Sequence, residues 1–466
     1  MKILMVTGDP LIETGRSACI ALSSELHKLG HKVSIVLPFY RSLLKDKKIY
    51  PKSTGVHFSV PVSAQYLSCE IFEAYTADGI QILFIGRDEF FECPEPFDNK
   101  GSGHSNNSAR FAFYARCVIQ LACRISPLPE IIQCYDWQAA LIPAMIKDAN
   151  LPFKTVLCIS SLEHQGNFWS RDFAFTNLPK HYFSAAGLEF YGSLNFLKGG
   201  ILFSDAIVFP SKRYVMESQR PEHGCGLDAV LREHSGKVHG ICNGMEEPVW
   251  NHECDQSKTR LYNASDPKDK SICAAELLSL LRLEPSSKGP LIAVINQSFT
   301  SEGFDILLPV LDRLLAEDVR VVVSARSSRY DAALGLAVHR YPSKFVYLSE
   351  YNDSLMHRVL TGADIFLSPS DLELDGITIM KALKYGAVPV IRACSGFYQF
   401  IRDYHPASES GTGFVFYDKT PEALLDGVRR ALEIFREKGQ WTQIVARILS
   451  KDFSWKSAAQ SYESIY

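Results

Sequence analysis

Three features that would restrict function are missing from this 466-residue sequence. Its twelve cysteines lie far apart, without a C-x-x-C pair or a His/Cys cluster at metal-ligand spacing, so neither a zinc site nor a disulfide framework is indicated. No apolar run approaches the roughly 18 residues that a membrane-spanning helix needs. Lys and Arg number 49 against 52 acidic residues. A basic surface for nucleic acid or an anionic membrane is therefore not expected.

The composition is that of a globular protein with large cores, since 46% of the residues are hydrophobic and 22% are charged. The length exceeds what one hydrophobic core usually organises, and two domains are the simpler interpretation. The apolar segment 1–6 is too short for a signal peptide and suits a buried strand. We therefore expect a cytoplasmic protein with reduced thiols.

The first half of the chain reads as alternating strands and helices. Residues 3–7 and 32–38 are predicted strands on either side of an amphipathic helix over 17–29, which Gly30 closes. Further strands are predicted over 82–85, 131–132, 155–159 and 206–209, with a helix over 137–147. This order is typical of a parallel sheet covered by helices.

The same pattern begins again near residue 291. The predicted strands are 291–295, 320–324, 344–348, 365–368 and 388–392, and the predicted helices are 304–315, 355–361 and 377–385. The segment 251–288 is rich in Asp, Lys, Ser and Asn, which indicates a surface connection. Two doubly wound sheets in tandem would bind ligands in a cleft at their strand carboxyl ends.

Short motifs follow one another in a specific order and spacing along the chain. They include Arg110-Phe111, Tyr135-Asp136-Trp137, Gln165-Gly166, Glu189-Phe190-Tyr191-Gly192, Gly362-Ala363-Asp364, Tyr385-Gly386 and Asp452-Phe453-Ser454-Trp455. Taken together, they resemble the glycogen and starch synthase family over nearly the whole chain. The resemblance implies an α/β fold of two Rossmann-like, doubly wound domains facing a cleft, the arrangement called GT-B. It predicts an acceptor-side lobe over 1–253, a nucleotide-sugar-side lobe over 254–448 and a last segment, 449–466, that returns to the first lobe.

The resemblance also implies a chemistry. Active members transfer glucose from a sugar nucleotide to the 4-hydroxyl end of an α-1,4-glucan and retain the anomeric configuration, with no metal or other cofactor. The implied partners are an α-glucan such as glycogen or starch and a nucleotide sugar. Without a metal, the charge on the departing diphosphate must be met by side-chain cations, helix N-termini and glycine-rich backbone.

Three of the family's cations are replaced in this sequence. Gln297 stands where the family has an Arg, Glu302 where it has a Lys, and Glu13 where it has a Lys near the N-terminus. Each lost attraction is worth about 4 kcal/mol at ~4 Å and an effective dielectric near 20. Even after a several-fold discount for solvent, the sum rivals the roughly 8 kcal/mol that holds a micromolar ligand. Weak binding of the sugar nucleotide is expected.

Other donor-site positions also lack the residues that the family has there. Gln138 replaces the His of the family's D-W-H, and Ser160 begins a Ser-Ser pair in place of its His-Asn. Asp375 replaces the Cys of its E-P-C-G, while Glu373 and Asp136 are retained. Cys394 begins the segment that replaces its T-G-G-L. Each substitution removes a group that the resemblance places beside the donor sugar or its phosphates.

Several positions carry two interpretations. Glu373 either holds the donor glucose hydroxyls or is a surface carboxylate, and Asp136 with Trp137 is either a strand-end cap with a packing aromatic or part of the chemistry. Tyr135, Trp137 and Tyr191 are candidates for stacking on glucan rings, the alternative being that all three are core aromatics. Arg16 and Arg326, as well as Arg392, are possible substitute cations.

The sequence therefore favours a homologue with weakened or lost glucosyl transfer that acts as a glucan-binding or regulatory protein. The main alternative is a working transferase with an altered donor, which chain extension from any nucleotide glucose would reveal. A structural subunit that pairs with an active synthase is a third possibility, which copurification would reveal.

Overall fold

The computed structural model of the chain describes residues 1–10, 18–41, 50–93, 96, 103–245, 250, 270–285, 289–296, 303–325, 329–349, 353–370, 376–393 and 400–466. It divides into two compact units. The first consists of residues 1–244 and 455–466, and the second of residues 245–454. The boundaries predicted from the sequence lie after residues 253 and 448.

The described part of the first unit contains a nine-stranded sheet with the order β12-β11-β7-β6-β1-β2-β5-β4-β3 and a small sheet with the order β8-β10-β9. The strands are β1 Lys2–Val6, β2 Lys32–Pro38, β3 Lys52–Val62, β4 Gln65–Tyr75, β5 Gln81–Gly86, β6 Ile131–Tyr135, β7 Lys154–Cys158, β8 Asn167–Phe168, β9 Glu189–Phe190, β10 Ser193–Asn195, β11 Ala206–Phe209 and β12 Val238–Gly240.

The centre of the large sheet is parallel, as predicted. β1 is fully buried and pairs in parallel with β2 on one side and with β6 on the other. A strand covered on both faces reads as a continuous apolar run, which is why the sequence Ile3 to Val6 identified it. The carboxyl ends of β1, β6 and β7 consequently lie at one edge of the sheet.

One border of this sheet was not predicted. β3 and β4 form an antiparallel hairpin in which Val62 is paired with Gln65 across a turn at Ser63 and Ala64. Ser63 has a φ of 55°, which is a left-handed conformation. Hairpin turns with this conformation usually carry Asn-Gly or Asp-Gly, and because this turn has neither, the sequence contains no signal for it. The sheet is therefore mixed.

The helices of the first unit cover the large sheet. They are α1 Ala18–Lys28, α2 Asp88–Phe91, α3 Asn107–Ala122, α4 Asp136–Ala139, α5 Ile142–Asp148, α6 Phe196–Phe203, α7 Lys212–Ser218 and α8 Asp228–Glu233, and the chain returns at the end with a helix over Trp455–Glu463. The helix predicted over 137–147 is divided into α4 and α5. Pro143, which lacks an amide hydrogen, stands in the first turn of α5.

The returning helix Trp455–Glu463 is built into the core of the first unit. Trp455 and Tyr462 are buried in the same hydrophobic cluster as residues of β1 and β2. The Nε2 atom of His31 lies 2.7 Å from the Glu463 carboxylate, and the Tyr462 hydroxyl lies 3.5 Å from the Cys158 thiol. Residues distant in sequence thus complete the first unit.

The second unit has a parallel sheet with the order β15-β14-β13-β16-β17-β18. Its strands are β13 Leu291–Asn296, β14 Arg320–Ala325, β15 Phe345–Leu348, β16 Ile365–Ser368, β17 Val388–Arg392 and β18 Phe414–Phe416. Its helices are α9 Lys270–Leu280, α10 Phe304–Leu307, α11 Leu311–Ala316, α12 Asp331–Arg340, α13 Asp353–Gly362, α14 Ile377–Lys384, α15 Pro421–Arg436 and α16 Lys438–Leu449, so that the returning helix Trp455–Glu463 is α17.

The strands predicted in this half are confirmed, and one predicted helix is interrupted. The helix predicted over 304–315 consists of α10 and α11 with a 3-10 turn at Leu308–Val310 between them. Pro309 lies in that turn and cannot donate the hydrogen bond that a continuous α-helix requires. Within the described residues, no helix is both long enough and apolar enough to cross a membrane.

Candidate functional site

A cavity of about 870 Å³ lies in the first unit, at the carboxyl ends of β6 and β7. Most of its lining residues are polar, and a few aromatic rings complete the wall. The lining residues are Gly103, His104, Ser105, Asn107, Asp136, Trp137, Gln138, Ser160, Ser161, Glu163, His164, Gln165, Gly166, Asn167, Phe168, Trp169 and Asp172. Four of the site residues predicted from the sequence, Asp136, Trp137, Gln138 and Ser160, therefore share one cavity.

Asp136 follows β6 directly and is held by Ser160, the second residue after the neighbouring strand β7. Its carboxylate accepts hydrogen bonds from the Ser160 backbone N–H at 2.7 Å and from the Ser160 hydroxyl at 3.0 Å. Burial, with a smaller contribution from the nearby Asp9 carboxylate, raises the pKa of Asp136 from 3.8 to about 6 against the lowering effect of these bonds. Asp136 also has a φ of 53°. The residue joins two strand ends, as the capping interpretation stated.

Gln138 forms a buried part of the wall. Its side chain is 8% exposed and packs on the backbone of Gly8, where a Cβ atom would come within 2.5 Å of the Gln138 Cβ. Tyr40 fixes Gly8 from the other side by donating its hydroxyl hydrogen to the Gly8 carbonyl at 2.9 Å. An amide at this position can form hydrogen bonds but does not take up or release a proton near neutral pH.

Trp137 is a packed aromatic that touches the cavity with a small part of its ring. It is 8% exposed, and its ring makes edge contacts with Phe111 and Phe168 at centroid distances of 4.9 and 5.7 Å. Gly166, with a φ of 63°, lies against it so closely that a Cβ would come within 2.6 Å of Trp137 Cε3. This packing supports the core interpretation of Trp137 more than the glucan-stacking one.

The loop over 160–166 is held by several side chains. The Leu162 N–H donates to the Tyr214 hydroxyl at 2.9 Å, and Gln165 donates to the carbonyls of Leu162 at 3.0 Å and Cys225 at 2.9 Å. The Gln165 side-chain oxygen accepts from Asn195 at 2.7 Å. The floor of the cavity is thereby fixed in one conformation.

Tyr135 does not reach the cavity. It is buried in the cluster that includes the C-terminal helix α17, and its hydroxyl accepts a hydrogen bond of 2.7 Å from Gln133. Burial raises the pKa of Tyr135 well above its usual value. Since its ring is covered, the structure supports the core interpretation for Tyr135 and not a glucan-stacking role.

Tyr191 has the opposite environment. It is 87% exposed and stands at the tip of the β9–β10 hairpin, so the alternative that it is a core aromatic is wrong. Its φ of 49° is unusual for a residue with a large side chain. Lys198, in the helix α6 that follows this hairpin, is buried and donates to the Ala185 carbonyl at 2.7 Å. Lys198 therefore has a structural role.

Trp169, which the sequence interpretation did not single out, also lines the cavity. It is 63% exposed and follows β8 directly. The Arg171 guanidinium lies over its ring at 4.6 Å from the centroid. A sequence signal for this residue is missing, because an exposed Trp and a buried Trp look alike in an isolated motif.

The carboxyl edge of the second sheet carries a separate polar group of side chains. Asn296 ends β13, and its amide lies 3.5 Å from the Ser370 hydroxyl beyond β16. Arg392 ends β17 and donates from Nε to the Ser370 carbonyl at 3.3 Å. Parallel sheets of this kind bind ligands at this edge. Arg392 thus places a cation at the carboxyl edge of the second sheet.

The remaining predicted site residues lie outside the part of the chain that the structure describes. They are Glu13, Arg16, Gln297, Glu302, Arg326, Glu373, Asp375 and Cys394. Their roles stay predictions. Among the described residues, no group of His, Cys, Asp and Glu side chains is arranged to hold a metal ion.

Comparison with known proteins identifies two matching families. Residues 2–233 match the family described as the starch synthase catalytic domain, and residues 282–443 match the family described as glycosyl transferases group 1. A glycogen synthase of Koribacter versatilis is 34% identical to this chain over 98% of the chain and 95% of that protein. A glycogen synthase of Opitutus terrae is 31% identical over 100% of the chain and 99% of that protein.

Solved structures show the same fold. The catalytic domain of starch synthase IV from Arabidopsis thaliana, bound to ADP and acarbose, has a TM-score of 0.87 at 23% identity and covers 100% of this chain and 98% of that one. The chain therefore has the two-domain α/β fold of the GT-B class, as the motifs predicted. At this identity, the comparison concerns the fold alone.

Proposed function

Because the chain belongs to the glycogen and starch synthase family, we propose that it is a glucan-binding member whose glucosyl transfer is weakened or lost. The proposed ligand is an α-glucan such as glycogen, bound at the first unit's cavity. The donor, a nucleotide sugar, would bind weakly or not at all. A regulatory role in glycogen metabolism would follow from binding without efficient transfer.

The observation that carries this proposal is the environment of Gln138. The amide occupies a buried place in the cavity wall against Gly8, where the family motif has a His. The Gln138 side chain is well packed, but unlike a His it neither exchanges a proton nor carries a positive charge near neutral pH. Hydrogen bonding to sugar hydroxyls needs neither property. A site with this residue favours glucan binding over transfer.

The neutral polar groups of the cavity support a sugar ligand. Gln165 and Asn167 are linked through Asn195, whose amide donates to both at 2.7 Å. Such preformed amide networks present fixed donors and acceptors to hydroxyl groups, without a change of conformation on binding. The same groups give no particular stabilisation to a diphosphate.

The replaced cations of the donor site support the second half of the proposal. Gln297, Glu302 and Glu13 stand where the family motifs have an Arg and two Lys. An acid in place of a cation repels the phosphates rather than leaving them merely unpaired. The proposal therefore predicts that the protein binds the glucan and that it binds the nucleotide sugar weakly or not at all.

The test combines glycogen cosedimentation with a transfer assay on glycogen, using ADP-glucose and UDP-glucose in parallel. Pelleting with glycogen and little or no incorporation of glucose is expected. A protein that stays in the supernatant contradicts glucan binding and favours the structural-subunit alternative. In the transfer assay, Gln138→His is the matched variant, because it restores the family's residue at one position.

A working transferase with an altered donor is the second candidate, and Arg392 favours it. This cation stands at the carboxyl edge of the second sheet and is anchored on the Ser370 carbonyl. Strong binding of a phosphate would require it to approach to about 2.7 to 2.9 Å. Extension of an α-1,4 chain from any nucleotide glucose would establish this function and overturn the proposal of weakened transfer.

A further inference from the structure

The exposure of Trp169 distinguishes it from the other tryptophans. The sequence has five Trp residues, all within the described ranges, and the other four are each 8% exposed or less. Trp169 is 63% exposed and lines the cavity. An exposed aromatic side chain on the wall of a cavity is a surface typical of ligand-binding sites.

The ring is held in place before any ligand binds. Arg171 lies over it at 4.6 Å, and the Asp172 N–H donates to the Trp169 carbonyl at 2.9 Å. The Asp172 carboxylate accepts a hydrogen bond of 2.8 Å from the Ser108 hydroxyl of α3. Since this segment is anchored to a long helix, stacking on the ring costs little loss of conformational freedom.

A second exposed aromatic stands at the same end of the small sheet. In the register of this sheet, Phe168 of β8 pairs with Leu194, and Phe190 of β9 pairs with Ser193. Trp169 and Tyr191 are the residues that follow β8 and β9, on the two sides of β10. Strands two apart are separated by about 10 Å. The fold thus places two exposed aromatics at the same end of the small sheet, and of these Trp169 lines the cavity.

We propose that Trp169 is a stacking platform that binds a glucose unit of an α-glucan chain at the cavity, and that Tyr191, at the same end of the small sheet, is a second contact for the chain outside the cavity lining. Sugar rings present C–H groups that pack on aromatic faces, while their hydroxyls bond to polar groups such as those of Gln165 and Asn167. This inference rests on the proposed function, because it takes the glucan as the ligand of the same cavity. It adds a residue that the family motifs do not contain.

The charge of the lining favours a glucan over a phosphate-bearing ligand that could also stack. The lining carries the carboxylates of Asp136, Glu163 and Asp172, whereas its basic groups are His104 and His164. Arg171 is the cation beside the ring. An acidic lining repels phosphates and leaves a neutral sugar chain unaffected.

The first test uses acrylamide quenching of tryptophan fluorescence, because Trp169 is the exposed member of the five. In the wild-type protein we expect acrylamide to quench one component of the tryptophan fluorescence, and we expect glycogen or maltoheptaose to reduce that quenching. The Trp169→Phe variant should lack that component. If glycogen pellets the protein but leaves quenching unchanged, the platform is overturned while glucan binding stands. Protection by ADP-glucose and not by the glucan overturns the choice of ligand.

The second test compares glycogen affinities by cosedimentation. Trp169→Ala is expected to weaken binding about five- to tenfold, and Trp169→Phe by less, since it retains a ring. The control is Tyr75→Ala, which removes a 60% exposed aromatic at the end of β4, outside the cavity lining. Equal binding by wild type and Trp169→Ala overturns the platform alone. Failure of the wild type to bind overturns the proposed function itself.

Discussion

Both carboxylate oxygens of Asp136 accept a hydrogen bond from Ser160, one from its backbone N–H and one from its hydroxyl. The bonds join the carboxyl ends of β6 and β7 at the edge of the cavity. Ser160 stands where the family motif has a His, so this chain uses the position to hold Asp136. The pair is therefore a structural link, and its hydrogen bonds oppose the rise in the pKa of Asp136 that burial causes.

The pKa of Asp136, raised to about 6 from 3.8, makes stability depend on pH. Between pH 4 and 6 the folded protein holds more protons than the unfolded one, so this contribution is present below pH 4 and is lost as pH rises through 6. The expected loss is about 1 to 2 kcal/mol, less than the full linkage value because the residue is half-buried. Asp136→Asn should remove this pH dependence, as measured by urea unfolding at pH 4, 5, 6 and 7. An unchanged slope in the variant would show that Asp136 titrates normally.

Neither ADP-glucose nor UDP-glucose is expected to bind tightly, because Gln297, Glu302 and Glu13 replace the family's phosphate-binding cations. Isothermal calorimetry is the direct measurement. A dissociation constant in the low micromolar range, about 8 kcal/mol of binding free energy, would refute this expectation. ADP and UDP without glucose serve as controls for the contribution of the sugar.

The double variant Gln297→Arg with Glu302→Lys is expected to bind sugar nucleotides more tightly than the wild type. It restores two cations toward one diphosphate, and at ~4 Å each attraction is worth up to about 4 kcal/mol before solvent reduces it. A matched control, Gln297→Ala with Glu302→Ala, separates the removal of an acid from the gain of a cation. Unchanged calorimetric affinity in a folded double variant would mean that this loop is misaligned with the family's phosphate site.

Trp137→Ala is expected to destabilise the first unit by roughly 3 kcal/mol, because the ring packs against Phe111, Phe168 and Gly166. Trp137→Phe retains an aromatic ring and should cost less. The free energy of unfolding in urea measures both. Loss of glycogen binding by Trp137→Ala is therefore informative only if the folded fraction is matched to the wild type. An alanine variant as stable as the wild type would show that Trp137 is not a packing residue.

Much of the fold was predictable because buried parallel strands leave a strong signal. β1 and the strands of the second sheet are continuous apolar runs, and the sequence located them closely. Pro143 and Pro309 interrupt two predicted helices, and both interruptions follow from a missing backbone donor. The β3–β4 hairpin was missed because its strands are largely exposed and its turn lacks the usual residues.

The site was predictable where a motif residue has a local role, as Asp136 has. Exposure was not predictable, since Tyr135 and Tyr191 both occur in short family motifs but Tyr135 is buried and Tyr191 is exposed to solvent. Burial depends on residues far away in the sequence, such as those of α17, and no local pattern contains that information. The exposure of Trp169 could not be predicted for the same reason, because it depends on the three-dimensional arrangement of the residues around the cavity.

The position of α17 determines the order in which the chain can complete its folding during synthesis. Residues 245–454 leave the ribosome before Trp455 and Tyr462, which belong to the hydrophobic cluster of the first unit. The second unit can therefore fold while the first still exposes the apolar surface that α17 covers. A nascent chain paused after residue 454 would present that surface to chaperones, although most of the first unit was translated earliest.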